Sequence, residues 1–116
     1  MFRGELWQMS LEKNPKSAKG DVRPVIILSS DSLGSLPLRI VVPLTPWKDA
    51  FSSAPWMVRI PPVLNSGLDA AHAADALQVR SISTIRLINR MGEIPKSLVD
   101  AIIRAVELIL EANPER

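Results

Sequence analysis

The feature that most constrains the fold is an uninterrupted run of four aliphatic residues at 25–28 (VIIL), preceded directly by Arg23 and Pro24. A short apolar run rich in β-branched residues predicts a β-strand that is covered on both faces. Pro24 has no N–H group to donate and favours an extended residue before it, so it belongs at the start of this strand. The sequence therefore predicts a buried central strand over residues 21–30, with the Arg23 guanidinium at its rim.

The remaining patterns predict four more strands and a terminal helix. Alternating or β-branched apolar residues predict strands at residues 4–11, 38–45, 56–60 and 75–83. Residues 84–90 are interpreted as one or two helical turns, and apolar residues at helical spacing predict a helix over residues 95–112. The predicted fold is α+β and mainly β: a small antiparallel, barrel-like sheet of about five strands with a C-terminal helix, in a single domain spanning residues 1–116.

Composition excludes several classes of function. The 116 residues contain no cysteine, so disulfides and thiolate metal sites are excluded. The single histidine, His72, lies in a small-residue segment interpreted as a loop, which argues against a zinc enzyme or a Ser–His–Asp triad. Neither a GxGxxG nor a Walker-type loop is present, so neither a metal nor a cofactor is predicted. A membrane helix would need about 20 apolar residues, and the chain start does not resemble a signal peptide, so we expect a soluble cytoplasmic protein without membrane contact.

Positive charge is concentrated in the loop before the central strand. The chain has a net charge of only +2, but Lys13, Lys16, Lys19 and Arg23 against Asp21 give residues 13–23 a balance of four minus one, or +3. A local basic segment on a nearly neutral protein suits a polyanion bound at one place. The alternative is an ordinary solvated loop.

Two further positions are candidates for binding or chemistry. Thr45 stands at the exit of the strand at 38–45, and antiparallel pairing would bring this exit beside the start of the central strand, so we expect Arg23 and Thr45 to be neighbours. The loop at 46–55 carries Trp47 and Phe51. These rings are either plugs of the core or surfaces on which nucleic-acid bases stack.

Four blocks of sequence resemble, in order and spacing, the MazF/PemK family of toxins from bacterial type II toxin–antitoxin systems. RGELW at 3–7 resembles the family's RGEIW, and VVPLT at 41–45 resembles VVPITS. GDVRPVIILS at 20–29 resembles GxRPVLVIS, with one extra residue between the glycine and the arginine. GL at 67–68 followed by QVRSI at 78–82 resembles GL…DQIRTID. The similarity extends over essentially the whole chain, including the terminal helix.

The resemblance implies a fold, an activity and partners. The fold is a compact SH3-like barrel shared with the gyrase poison CcdB, and the activity is metal-independent, sequence-specific cleavage of single-stranded mRNA by attack of a ribose 2′-hydroxyl on the phosphate. The implied partners are a second copy of the chain and a labile antitoxin with a disordered tail. Arg23 and Thr45 match the family's catalytic residues. From the aligned blocks and the two loops, the residues expected to contact RNA are Lys16, Ser17, Lys19, Pro46, Trp47, Gln78 and Arg80.

Departures from the family pattern keep two other functions open. Some members place an aspartate as general base where this chain has Leu77, and a histidine near Ser17; Thr45 is followed by Pro46 instead of serine. The base is therefore unassigned. One alternative is a non-catalytic, CcdB-like gyrase poison, although this chain ends NPER and lacks the Trp-Gly-Ile ending of such chains. The other is an RNA-binding barrel with degenerate chemistry.

Overall fold

The computed structural model describes residues 1–12 and 21–112. Within these residues the chain forms seven strands and one α-helix, in the order β1 (Glu5–Ser10), β2 (Val22–Ile27), β3 (Leu38–Pro46), β4 (Met57–Ile60), β5 (His72–Asp75), β6 (Arg80–Ser83), β7 (Leu87–Glu93) and α1 (Lys96–Leu110). None of the helices in these two ranges has the length and apolar character needed to cross a membrane.

All strand pairs are antiparallel and form one sheet with the order β4-β5-β3-β2-β1-β7, while β6 pairs with the first half of β3. The mainly β, α+β prediction is confirmed, including the C-terminal helix. Two details are corrected: the described strands number seven instead of about five, and as paired they form an open sheet instead of a closed barrel. Strands β4 and β7 stand at the two ends of this order.

Strand β2 lies inside the sheet and is covered on both faces, as its apolar run predicts. Successive side chains of a strand point to opposite faces. Ile26 and Leu28 pack into a helix-side core, which includes Val99 and Ile102 of α1, whereas Val25 and its neighbours on the other face form a second core. The second core consists of Met9, Val25, Ile27, Val41, Ile82 and Leu87. The apolar run thus joins two cores separated by one sheet.

The strand predicted at 75–83 is interrupted in its middle. The Asp75 carboxylate accepts a hydrogen bond from the Leu77 N–H (3.1 Å) and closes a 3₁₀ turn at Ala76–Gln78, which separates β5 from β6. His72, expected in a loop, is the first residue of β5. Backbone pairing with β3 and β4 makes this small-residue segment a strand despite its composition.

The helical turns predicted at 84–90 are mostly wrong. Only Thr84–Arg86 forms a 3₁₀ turn, at which the Ser83 hydroxyl accepts from the Ile85 N–H, and the chain continues as β7. Strand β7 pairs with β1 from the far end of the sequence, a contact that local patterns do not encode. The helix predicted over 95–112 is confirmed within two residues at each end.

The RGELW block has a structural role centred on the Glu5 carboxylate. This side chain is 11% exposed, and its Oε1 accepts hydrogen bonds from the Phe2 N–H (2.7 Å) and the Trp7 indole (3.1 Å). Its Oε2 accepts from the Arg90 guanidinium (2.7 Å), and the amino terminus of Met1 lies 3.4 Å from Oε1. Burial alone would raise the pKa of Glu5, but these donors and charges outweigh it and lower the pKa to about 2.

Glu5 is expected to make stability depend on pH in the acid range. Its pKa falls from 4.5 to about 2 on folding, so the stabilisation is complete above the unfolded value and is lost as the pH drops toward 2. This difference corresponds to roughly 3 kcal/mol. We expect Glu5→Gln to lower the free energy of unfolding at neutral pH by about this amount, and to flatten its decline in acid. Urea denaturation at several pH values measures the loss of stability and its pH dependence, with the exposed Glu12→Gln as control. An equally steep acid decline in Glu5→Gln would contradict the assignment.

Candidate functional site

Strands β2 and β3 bring Arg23 and Thr45 to the same face of the sheet. Their pairing runs in one register from Ile27–Val41 to Val25–Pro43, and continuing it by two residues sets Arg23 opposite Thr45. By alternation Arg23 faces the same side as Val25, which belongs to the second core. Both residues are half-buried, and neither side chain forms a hydrogen bond or ion pair with the described part of the chain. The expectation that they are neighbours therefore agrees with the strand register.

The same row of residues continues across the other half of the sheet. Thr45 pairs with Ala73 of β5, and Ala73 pairs with Arg59 of β4. Leu44, the residue before Thr45, packs into the helix-side core, so Thr45 and its partners lie on the opposite face. Read across the strands, the order on this face is Arg59, Ala73, Thr45 and Arg23. In this order Arg59 and Arg23 lie on opposite sides of Thr45.

Trp47 lies beside this row at the surface of the protein. Its backbone N–H donates to the Ala71 carbonyl (3.1 Å) and so extends the pairing of β3 with β5 by one residue. The guanidinium carbon of Arg59 lies 6.0 Å from the centre of the Trp47 ring, and Phe51 contacts that ring edge-on, with centroids 5.8 Å apart. Trp47 is half-buried and belongs to neither core. Its position fits a stacking surface better than a plug of the core.

Gln78 and Arg80 lie on the turn and strand that follow β5. Arg80 is exposed and pairs with Val41, so it stands on the face of the second core. The Gln78 side-chain amide donates to the Asp75 carboxylate (2.9 Å), which also closes the preceding turn. Asp75 thus fixes the orientation of Gln78. Leu77, where some family members have an acid, is 57% exposed and offers no proton acceptor.

Two arginines near these residues were not predicted from the sequence. Arg59 alternates with inward-facing neighbours on β4, and this pattern predicts that its side chain faces outward. The pattern does not predict the contact of Arg59 with Trp47. Arg86 is only 7% exposed, and its Nε donates to the Ser10 carbonyl (3.1 Å). Burial, and then the charge of Arg80, lower the pKa of Arg86. Nothing in the local pattern of residues 84–90 marks this side chain as buried.

The remaining predicted site residues divide into two groups. Pro46 is exposed at the end of β3, directly after Thr45. Lys16, Ser17 and Lys19 lie outside the described residues, so their predicted contact with RNA stays a prediction. The described residues of the site therefore present Arg23, Thr45 and Arg59 in a row, with positive charge in excess.

This arrangement agrees with the relationship of the chain to known proteins. Residues 2–110 match the model of the PemK-like, MazF-like toxin family of type II toxin–antitoxin systems. The chain belongs to this toxin family. The resemblance of the four sequence blocks is thereby confirmed.

Individual relatives of this MazF-like toxin support the same assignment. It is 29% identical over 117 residues to Endoribonuclease MazF9 of Mycobacterium tuberculosis, which covers 96% of this chain and 97% of the relative. The structure of MazE-MazF (Form-II) from Deinococcus radiodurans matches with a TM-score of 0.76, 20% identity and 97% coverage of both chains. A mycobacterial endoribonuclease in complex with its cognate antitoxin matches with a TM-score of 0.75, 18% identity and the same coverage. These structures confirm the predicted MazF-type fold.

Proposed function

We propose that this MazF-like toxin is an endoribonuclease that cleaves single-stranded RNA at short specific sequences without a metal ion. The observation that carries the proposal is the register that sets Arg23 opposite Thr45 on one face of the sheet. The relative named Endoribonuclease MazF9 supports the activity. Because the proposed substrate is messenger RNA, the proposed site of action is the cytoplasm.

The proposed reaction is an internal transesterification. The ribose 2′-oxygen forms a bond to the adjacent phosphorus, the bond from phosphorus to the 5′-oxygen breaks, and the products are a 2′,3′-cyclic phosphate and a 5′-hydroxyl. The 2′-hydroxyl loses a proton and the 5′-oxygen gains one. Negative charge grows on the phosphorane oxygens, where the Arg23 guanidinium and the Thr45 hydroxyl can donate hydrogen bonds. A guanidinium group donates hydrogen bonds and has no acceptor, so Arg23 stabilises charge and does not act as the base.

The acceleration is proposed to come mainly from stabilising this charge. Leu77 cannot accept a proton, and the Asp75 carboxylate already accepts two hydrogen bonds, from the Leu77 N–H and the Gln78 amide. We therefore assign the role of proton acceptor to neither of these two side chains. A site that relies on fixed donors at the developing charge draws on the largest single contribution to most enzymatic accelerations.

The proposed partners are a second copy of the chain and a cognate antitoxin with a disordered tail. The antitoxin complexes of the mycobacterial and Deinococcus relatives support the second. Leu36, Leu38 and Ile40 are between 43% and 46% exposed and border a cavity of about 230 Å³. Exposed aliphatic groups in one place are typical of an interface with another chain.

The test is cleavage of a mapped RNA site in excess EDTA, compared with the same RNA carrying 2′-deoxyribose at the cut. We expect cleavage of the first RNA, with a 5′-hydroxyl and a cyclic phosphate at the new ends, and no detectable cleavage of the second. A deoxy substrate cut at the same rate would refute internal attack. Binding without cleavage would instead favour the RNA-binding alternative, and neither binding nor cleavage would favour the gyrase poison.

A further inference from the structure

We propose that Arg59, held over the Trp47 ring, binds a backbone phosphate of the RNA strand next to the scissile phosphate. The proposal rests on the proposed function and adds a binding residue to it. Arg59 is exposed, pairs through Ala73 with Thr45, and lies on the face that carries Arg23.

The first support is the position of Arg59 in the row. Neighbouring strands lie about 4.8 Å apart, so the backbone of Arg59, two strands from Thr45, is roughly 10 Å away on one side. Arg23 is one strand away on the other side. An RNA strand that crosses the sheet at right angles to the β-strands would meet Arg23, Thr45 and Arg59 in turn. With the scissile phosphate at Arg23 and Thr45, Arg59 lies along the continuing backbone.

The second support is the small residue Ala73, which lies on β5 between Arg59 and Trp47. Ala73 of β5 is fully buried although it lies on the face that carries exposed Arg59. Ala71 and Ala73 carry only a methyl group, so the side chains of Trp47, directly after β3, and Arg59 on β4 can meet above β5. Their contact restrains a long, flexible cation before RNA arrives. A restrained cation loses less conformational freedom on binding.

The third support is charge. The ion pairs within the described residues do not include Arg59, so its positive charge is available to a ligand. The nearby carboxylate on the same face, Asp75, is engaged with Gln78. With Arg23 and Arg80 on this face, the balance favours a polyanion over an apolar peptide.

The experiment measures binding of a fluorescent RNA with 2′-deoxyribose at the cut, between about 50 and about 200 mM salt. The proteins are the parent chain, Arg59→Ala, Arg59→Lys and Arg104→Ala, an exposed arginine on α1 that serves as matched control. Loss of one phosphate contact to a single strand should reduce the slope of log affinity against log salt by about 0.7 in Arg59→Ala. Over this fourfold range of salt, the variant should then lose about 2.6-fold less affinity than the parent. Arg59→Lys should keep the slope but bind more weakly, because lysine lacks the planar group that stacks on Trp47.

Melting temperatures of all four proteins check that exposed Arg59 does not act through folding. The proposal would be overturned if the salt slope of RNA binding were the same for Arg59→Ala, the parent and Arg104→Ala. This holds even if Arg59→Ala weakened binding of the antitoxin. A parent protein that binds this RNA and cleaves its all-ribose form keeps the proposed function intact in that event. A parent that does neither would refute both.

Discussion

Arg23→Ala is expected to lower the rate of RNA cleavage by on the order of 10³-fold, because it removes the charge that faces the developing phosphorane. Thr45→Ala should cost on the order of 10²-fold, since it removes one neutral donor, and Thr45→Ser should keep part of the activity. Arg23→Lys should recover only a fraction, because an ammonium cannot donate two parallel hydrogen bonds to a phosphate. Single-turnover cleavage of one mapped site, with each variant in excess, measures these losses.

The control for this result is stability. Arg23 lies half-buried at the start of β2 and makes no hydrogen bond with the described part of the chain, so Arg23→Ala should melt close to the parent. Arg104→Ala, on the helix, should cleave at the parental rate. An Arg23→Ala protein that is folded and as active as the parent would remove Arg23 from the site.

Gly92→Ala is expected to have the largest effect on stability. A Cβ at this position would meet the backbone of the 63–68 segment, with the carbonyl carbon of Ser66 at 2.5 Å and its oxygen at 2.6 Å. These are backbone atoms that cannot rotate away, and the adjoining Glu93 N–H is bonded to the Asn65 carbonyl (2.8 Å). Either β7 or this segment must move, so we expect a loss of about 3 kcal/mol or more.

Gly34→Ala is the matched control for Gly92→Ala. Nothing lies within 4 Å of a Cβ at Gly34, and only its positive φ of 58° opposes the change. With its ψ of −119°, Gly34 lies in a region that residues with a side chain rarely adopt, and the substitution should cost about 1–3 kcal/mol. Urea denaturation of both variants compares steric overlap with backbone strain, and a Gly92→Ala protein more stable than Gly34→Ala would show that the two segments separate easily.

The sequence by itself determined the elements whose signals are local. Four consecutive aliphatic residues specify β2 because a fully apolar strand is stable only between two layers, and helical spacing specifies α1 because one stripe must face the sheet. It also predicts that Arg23 lies near Thr45, since antiparallel strands bring the start of one beside the end of the next, and the β2–β3 register agrees with this when continued by two residues. The blocks that resemble the toxin family fixed the assignment to that family.

Tertiary structure decided the features that depend on distant partners. Strand β7 exists because β1, more than 70 residues earlier in the chain, offers an edge for pairing, which outweighs its unremarkable local composition. The Asp75 carboxylate accepts a hydrogen bond from the turn that divides the strand expected at 75–83. This contact is local, but its stability depends on the pairing of β5 with β3 and β4 and of β6 with β3.

The Arg59–Trp47 contact and the hydrogen bonds around Glu5 also depend on residues that are distant in sequence. Glu5 and Arg90 are 85 residues apart, and Trp47 meets Arg59 only because Ala73 separates them with a single methyl group. Hydrophobic periodicity reports which face of an element is buried, because burial acts on each residue separately. It does not report which polar groups meet, because that depends on register and strand order, which form only when the whole sheet is assembled.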